Sequence, residues 1–221
     1  MALRLPNSVF IHVPKTGGTW VHSALKAAQV PAQELGCRWH AGYLRDEPFH
    51  SCKHNAVNQV DTQGKFSFGF VRHPATYYQS FWCFRMRRGW VETNYFQRTL
   101  KNDSFEDFVR GVLSNRPGWV SHLFQGLLEG GGKSVDFIGK QENLVDDLIT
   151  ALHRAGESFD EAAIRNHPPK NVSSGLDEWK QRCVYSASLI REVERVERYA
   201  MERFEYPSMV RKHVPVHSVW H

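Results

Sequence analysis

The chain has 221 residues, of which 41% are hydrophobic and 23% are charged, and its formal net charge is +5. This composition is close to that of soluble globular proteins, so it excludes a disordered chain and a fibrous repeat. No apolar run reaches the roughly 18 residues that a membrane helix needs, and the N-terminus lacks the layout of a secretory signal. We therefore expect one soluble, cytoplasmic domain over residues 1–221. The positive charge favours anionic partners: nucleotides, sulfated or phosphorylated sugars, or nucleic acid.

The four cysteines, Cys37, Cys52, Cys83 and Cys183, lie far apart and include no C-x-x-C pair. This spacing argues against a zinc site and against a disulfide framework. Free cysteines commonly pack as small hydrophobic residues. We therefore expect reduced and mostly buried thiols, and no metal site.

The first half of the chain twice shows a short apolar run, a loop and then a helical segment. Residues 9–13 form the first run, which stops at Pro14 and two glycines, and residues 20–28 continue as a helix. Residues 66–71 form the second run, which breaks at Pro74 before a helix from about Tyr77. Apolar runs of this length, rich in β-branched and aromatic residues, are typical of buried strands. The pattern predicts two strand-loop-helix units.

The second half continues the alternation. Ser104 followed by Asp107 resembles a capping box and predicts the start of a helix. Residues 135–138 are a strand candidate, and residues 144–155 have helical spacing. Residues 179–204 are predicted as one long charged helix whose inward side chains are Val193, Val196, Ala200 and Phe204. Alternating strands and helices predict an α/β domain with a central, mainly parallel sheet flanked by helices.

The loop after the first predicted strand, Pro14-Lys15-Thr16-Gly17-Gly18-Thr19-Trp20, has the composition of a phosphate-binding loop. Backbone N–H groups between a strand and a helix N-terminus attract anions, and glycines allow phosphate oxygens to approach closely. The two threonines add hydroxyl donors, and Lys15 adds a full positive charge. A tight turn with a solvated lysine is the other interpretation. The common nucleoside-triphosphate loop differs, because there the lysine follows the glycines.

A second phosphate motif follows the second predicted strand. Arg72 lies at the strand end, Pro74 is two positions later, and Ser80 is on the first turns of the next helix. Arginine offers a planar fork to a phosphate, and serine offers a further donor. A strand-end ion pair with a surface serine is the alternative for this motif taken alone.

Together the two motifs resemble those of the sulfotransferase superfamily, especially its carbohydrate-type and small bacterial members. FIHVPKTGGTW is similar to the family's 5′-phosphosulfate loop, and Arg72, Pro74 and Ser80 match its 3′-phosphate motif. The resemblance implies transfer of a sulfuryl group from 3′-phosphoadenosine-5′-phosphosulfate (PAPS) to an acceptor hydroxyl or amine, with 3′,5′-adenosine bisphosphate (PAP) as product. It also implies a P-loop-kinase-like fold and no metal. The implied donor-binding residues are Lys15, Thr16, Gly17, Gly18, Thr19, Trp20, Arg72 and Ser80.

The resemblance extends to later parts of the chain. Residues 135–144 are similar to the family's late strand and E-N-L turn, which implies that Gln141 approaches the adenine. Residues 167–174 look like the segment that closes over the nucleotide, with Lys170 as a phosphate contact. Lys15 would touch the oxygen that bridges sulfur and phosphorus.

Sulfuryl transfer also needs a base for the acceptor proton. The segment SCKHNAV is similar to one in carbohydrate sulfotransferases whose histidine is implicated as the base, so His54 joins Lys15 as a candidate catalytic residue. His50, His40 and Glu47 lie in the same region and remain alternatives.

Residues 81–90 interleave aromatic side chains with arginines. Such a stretch suits stacking on sugar rings or binding of an anionic acceptor, and its alternative is a core helix with solvated cations. We expect a small-molecule or carbohydrate acceptor.

Two other functions are compatible with parts of the sequence. A P-loop-like kinase would use ATP and magnesium, and a basic nucleic-acid-binding module would use the positive charge and the aromatics. The basic residues are spread along the chain, and no nucleic-acid motif is recognised. We therefore expect neither a nucleic-acid nor a membrane partner.

Overall fold

The strands at the centre of the sheet lie in short runs that are rich in β-branched and aromatic residues. The computed structural model describes residues 2–35, 54–92, 94–169 and 177–210. The strands in these ranges are β1 (Leu3–Arg4), β2 (Ser8–Ile11), β3 (Gln33–Glu34), β4 (Phe66–Val71) and β5 (Phe137–Lys140). They form one five-stranded sheet in the order β3-β1-β2-β4-β5.

The sheet is mixed, so the expectation of a mainly parallel sheet is wrong. β4 pairs in parallel with β2 and β5, whereas β1 pairs antiparallel with β2 and β3. Only residues 5–7 join β1 to β2, and the Leu5 N–H donates to the Ser8 carbonyl at 2.8 Å. A parallel pair needs a long crossover connection, so this short link forces an antiparallel pair.

Helices cover both faces of the sheet. They are α1 (Gly18–Ala27), α2 (Pro74–Arg88), α3 (Tyr95–Leu100), α4 (Phe105–Asn115), α5 (Trp119–Leu128), α6 (Leu144–Ala155), α7 (Glu161–Arg165), α8 (Glu178–Gln181), α9 (Ala187–Val196) and α10 (Arg198–Arg203). No helix in the described part of the chain is long and apolar enough to cross a membrane.

The two faces of the sheet pack against different helices. Phe10, Phe68 and Phe70 pack with apolar residues of α1, α6 and α7, whereas strand neighbours such as Val9 and Val71 pack with α2, α4, α5 and α9. This division follows from the alternation of side chains along a strand.

Several predicted elements have the expected bounds. β4 matches the predicted run, and α6 ends at Gly156, whose φ of +67° is left-handed. Ser104 caps α4, because its hydroxyl accepts a hydrogen bond from the Asp107 N–H at 3.3 Å. β5 begins at Phe137, two residues later than predicted.

The prediction of one long helix over residues 179–204 is wrong. The chain instead forms α8, α9 and α10, and Ser186 caps α9 by accepting a hydrogen bond from the Leu189 N–H. Val193, Ala200 and Phe204 are buried as expected, whereas Val196 is only partly buried. The break between α9 and α10 falls at Glu197, which is fully buried.

The Glu197 carboxylate caps the N-terminus of α5. It accepts hydrogen bonds from the N–H groups of Val120 and Ser121 at 3.1 and 2.8 Å. It also accepts from the hydroxyls of Ser121 and Tyr78, both at 2.7 Å. These donors and the positive end of the α5 dipole stabilise a buried negative charge. The break after α9 therefore coincides with a tertiary contact of Glu197, which the helix propensities of the neighbouring residues do not predict.

We predict that Glu197→Gln lowers the free energy of unfolding by roughly 3 kcal/mol, since the amide turns a donor towards groups that need an acceptor. Urea denaturation measures the change. Glu202→Gln on α10, where the carboxylate is exposed, is the matched control and should stay within about 0.5 kcal/mol of the wild type. Equal stability of the two variants would contradict the capping role.

Candidate functional site

The loop between β2 and α1 turns tightly around two glycines. Gly17 has a φ of +92°, and Lys15 is also left-handed with a φ of +67°. A Cβ on Gly17 would lie 2.4 Å from Cδ2 of Leu144, and one on Gly18 would lie 2.1 Å from the His12 ring. Packing within the protein therefore favours glycine at both positions, independently of whether a phosphate binds to the loop.

The loop presents backbone N–H groups that have no hydrogen-bond acceptor among the described residues. Within the described residues, the N–H groups of residues 16–19 donate no hydrogen bond. α1 also begins without a side-chain cap, because its N-cap residue is Gly17. Unpaired N–H groups at a helix N-terminus attract anions, since their partial charges add to the helix dipole. The loop is thus equipped to bind a phosphate or a sulfate group.

The other predicted loop residues have different environments. Thr16 is buried, and its hydroxyl donates to the Val13 carbonyl at 2.9 Å, which closes the loop. Thr19 is exposed in the first turn of α1. Trp20 is buried, with its ring centre 5.9 Å from that of His167. The side chains of Thr16 and Trp20 therefore support the loop from inside, and their contact with a donor stays a prediction.

One face of α2 lies along the cationic side chains of the site. Thr76, Ser80 and Phe84 are four residues apart, so they share a helix face. Arg72 Nε donates to Thr76 Oγ1 at 3.0 Å, and Arg72 Nη1 donates to the Lys15 carbonyl at 3.3 Å. Lys15 Nζ lies 4.0 Å from the centre of the Phe84 ring. Ser80 is half-buried and lies between Thr76 and Phe84 on this face, so Lys15 and Arg72 both contact the face of α2 that carries Ser80.

The cations of this site form no close ion pair with an acid of the described residues, although the charge of Glu142 partly opposes the effect of burial on the pKa of Arg72. In the part of the chain that the structure describes, no carboxylate oxygen lies within 4.0 Å of a side-chain nitrogen of Lys15, Arg72 or Arg85. Arg87, by contrast, pairs with Asp177. Burial, together with the charges of Arg72, Arg85 and Arg87, lowers the pKa of Lys15 from 10.5 to about 8. A bound anion would compensate for both effects.

The carboxyl end of β5 lies beside that of β4. Val71 is opposite Lys140 in this parallel pair, so Arg72 and Gln141 leave the sheet as neighbours. Gln141 is half-buried and begins a single 3₁₀ turn. It therefore belongs to the same edge as the two phosphate motifs, and its contact with the adenine stays a prediction.

Some predicted residues lie outside the described residues. These are the phosphate contact Lys170, the alternative bases His40, Glu47 and His50, and two cysteines, Cys37 and Cys52.

His54 lies against the strand end that leads into the loop. Its Nδ1 is 3.1 Å from the His12 carbonyl oxygen, and the two ring centres are 4.6 Å apart. Because a carbonyl only accepts, Nδ1 carries the proton in this contact, and Nε2 of the neutral ring is the basic nitrogen. Burial, and then the neighbouring His54, hold the pKa of His12 well below its usual value. This geometry equips His54 to take up a proton at Nε2.

Sequence reasoning assigned no role to His12 and named Phe84 only within an aromatic stretch. His12 covers Gly18 and orients His54 through its carbonyl group. Phe84 contacts the ammonium group of Lys15. Two signals pointed to them: a polar residue that ends an apolar strand, and an aromatic residue one helical turn after Ser80.

Comparisons with known proteins identify no relative. No protein-family model, no curated protein and no solved structure matches the chain. Among the described residues, no group of three or more histidine, cysteine, aspartate or glutamate side chains is arranged to hold a metal ion.

We predict that affinity for PAP falls as the pH rises above about 8. Lys15 is charged below its pKa of about 8 and neutral above it, whereas a bound phosphate requires the charged form. Each pH unit above that value should weaken binding by up to about tenfold. Calorimetric titration between pH 7 and pH 9.5 measures the slope.

Lys15→Met should bind PAP more weakly at pH 7 and lose this slope, and Lys26→Met, which removes an exposed lysine of α1, should keep it. The same slope in Lys15→Met and in the wild type would assign the pH dependence to another group.

Proposed function

We propose that this chain is a PAPS-dependent sulfotransferase, which transfers a sulfuryl group to an acceptor hydroxyl or amine. One observation carries the proposal: Lys15 and Arg72 lie along the face of α2 that carries Ser80. They lie beside the N–H groups of residues 16–19, which have no acceptor among the described residues. A nucleotide with separate anionic groups suits such a site, because each group needs its own donors. The proposal includes a P-loop-kinase-like fold, and the unit formed by β2, the loop, α1 and the parallel β4 supports it.

The two ends of the α2 face suit two different anions. Arg72 contacts Thr76 at one end, and Lys15 contacts Phe84 at the other. The helical rise over these eight residues is about 12 Å. We assign the 3′-phosphate to Arg72 and Ser80, and the 5′-phosphosulfate to Lys15 and the loop N–H groups. The assignment rests on two observations. Each motif resembles the sulfotransferase motif for the anion assigned to it, and the two ends of the face are far enough apart for two anionic groups.

The reaction follows from these positions. The acceptor atom attacks sulfur in line with the bond between sulfur and the bridging oxygen, and that bond breaks. His54 takes the acceptor proton at Nε2. Lys15 stabilises the negative charge that develops on the bridging oxygen. Because Lys15 and the loop N–H groups neutralise the leaving PAP, the proposed mechanism uses no metal.

The acceptor in this proposal is a small molecule or a carbohydrate. Residues 81–90 follow Ser80 along the end of α2 and just beyond it, and two of them, Phe84 and Arg85, lie at the Lys15 end of the site. Arg85 lies 4.5 Å from the centre of the Phe84 ring, which gives this end both an aromatic surface and a cation. Sugar rings and anionic substituents are the groups that such a surface binds.

Arg72→Ala tests the donor assignment. We expect it to weaken PAP binding by on the order of 2–5 kcal/mol, because the 3′-phosphate loses its charged fork. Adenosine 5′-phosphosulfate lacks that phosphate and should bind equally to the variant and to the wild type. Arg191→Ala, which removes an exposed arginine of α9, should change neither affinity. If Arg72→Ala weakened both nucleotides alike, Arg72 would have a structural role.

His54→Ala tests the base. We expect turnover to fall by about 10²- to 10⁴-fold, with nearly unchanged PAP affinity and without the acid limb of the pH profile. Transfer from radiolabelled PAPS, to an acceptor on which the wild type is active, measures turnover. His153→Ala, at an exposed histidine of α6, is the control. Full activity with the same acid limb in His54→Ala would transfer the role to His50, His40 or Glu47.

A further inference from the structure

Two buried thiols of distant sequence position are in contact. The Sγ atoms of Cys83 and Cys183 are 3.3 Å apart, and 100 residues separate them in the chain. Cys83 lies on α2, and Cys183 lies just after α8. A disulfide bond has an S–S distance of about 2.05 Å, so the two residues are present as thiols that need only a small approach to bond.

The two sulfur atoms have different electrostatic environments. The hydrogen bond from Cys183, followed by the charges of Arg87 and Lys15, lowers the pKa of Cys83 against the opposing effect of burial. The same hydrogen bond and burial raise the pKa of Cys183. Cys183 Sγ also lies 3.3 Å from the Trp179 carbonyl oxygen, which is an alternative acceptor for the same S–H. A thiol of lowered pKa in contact with a thiol of raised pKa is the arrangement of a reactive cysteine with its resolving cysteine.

We propose that Cys83 and Cys183 are a reversible thiol pair that a hydroperoxide oxidises to a disulfide. The Cys83 thiolate attacks one peroxide oxygen, the O–O bond breaks, and the departing hydroxide leaves as water after it takes up the Cys183 proton. Cys83 is then a sulfenic acid, and Cys183 attacks its sulfur and displaces hydroxide, which takes up a solvent proton. The solvent proton is the one that Cys83 released on forming the thiolate. Two thiols thus lose two electrons, and hydrogen peroxide becomes two waters.

Burial selects the oxidant. Only 3% of Cys83 and 6% of Cys183 is exposed, so a small peroxide reaches the sulfurs more readily than a bulky disulfide such as oxidised glutathione. A small dithiol reductant restores the pair by the usual exchange reaction.

The bond would also act on the proposed donor site, and this consequence rests on the proposed function. Cys83 is adjacent to Phe84, which contacts Lys15. Gln79, adjacent to Ser80, donates through Nε2 to the Cys183 carbonyl at 2.9 Å. Closing the sulfur gap by roughly 1 Å therefore displaces the part of α2 that carries the site. We expect the oxidised protein to have a different PAP affinity from the reduced protein.

Peroxide treatment of the full chain tests the pair. Wild-type protein treated with one equivalent of hydrogen peroxide should lose two thiols, and mass spectrometry of non-reduced peptides should find Cys83 linked to Cys183. Dithiothreitol should restore both thiols. In Cys183→Ser, oxidation should stop at a sulfenic acid on Cys83, which dimedone traps. In Cys83→Ser, peroxide should leave Cys183 without a disulfide partner and should produce no dimedone adduct at position 83.

A double variant at Cys37 and Cys52 should behave like the wild type. Linkage of Cys83 or Cys183 mainly to Cys37 or Cys52, or equal thiol loss in the wild type and Cys83→Ser, would overturn the proposal. If a serine variant fails to fold, the peptide map of the oxidised wild type is sufficient to show whether Cys83 is linked to Cys183. The map does not depend on PAPS, so a disulfide without any PAP binding would reject the proposed function and keep the thiol pair.

Discussion

The parallel pairing of β2 with β4 is the constraint on which the site depends. Ile11 lies opposite Gly69 in this pair, so both strands end at the same edge of the sheet. The loop that follows β2 and Arg72, which follows β4, therefore meet at that edge without any long-range adjustment. Once they meet, Arg72 bonds to the Lys15 carbonyl and α2 runs past the loop. The same pairing positions Ser80, which follows Thr76 by about one turn on the same face of α2.

This edge carries positive charge that no described carboxylate meets in a close ion pair, and the more distant Glu142 opposes only part of the effect of burial on Arg72. Burial lowers the pKa of Lys15 and of Arg72, which means that the folded protein disfavours their charged forms. Elsewhere the fold treats buried charge differently: Glu197 receives four hydrogen bonds from α5 and Tyr78. Glu197 is thus a structural charge whose protein partners satisfy it, whereas the proposed function assigns the partner of Lys15 and Arg72 to a bound nucleotide.

Local pattern was enough to predict some parts of this molecule. β4 and α6 have long apolar patterns and clear end signals, and Lys15, Arg72 and Ser80 all belong to strand-loop-helix units that can be read from adjacent residues. β1 and β3 are only two residues long, so the sequence contains no alternating apolar pattern that predicts the antiparallel edge of the sheet. The break at Glu197 depends on a helix 76 residues away. The contact between Lys15 and Phe84 likewise depends on how two elements pack, which spacing does not specify.

The central claim is that this edge binds the PAPS nucleotide, and a comparison of ligands by thermal shift tests it most directly. At about 100 times its dissociation constant, PAP should stabilise the protein by roughly 2.7 kcal/mol. ATP with magnesium and a single-stranded oligonucleotide should stabilise it much less at the same concentration. Stabilisation by ATP with magnesium in preference to PAP would contradict the account in favour of a kinase. Salt-sensitive stabilisation by the oligonucleotide alone would contradict it in favour of a nucleic-acid-binding module.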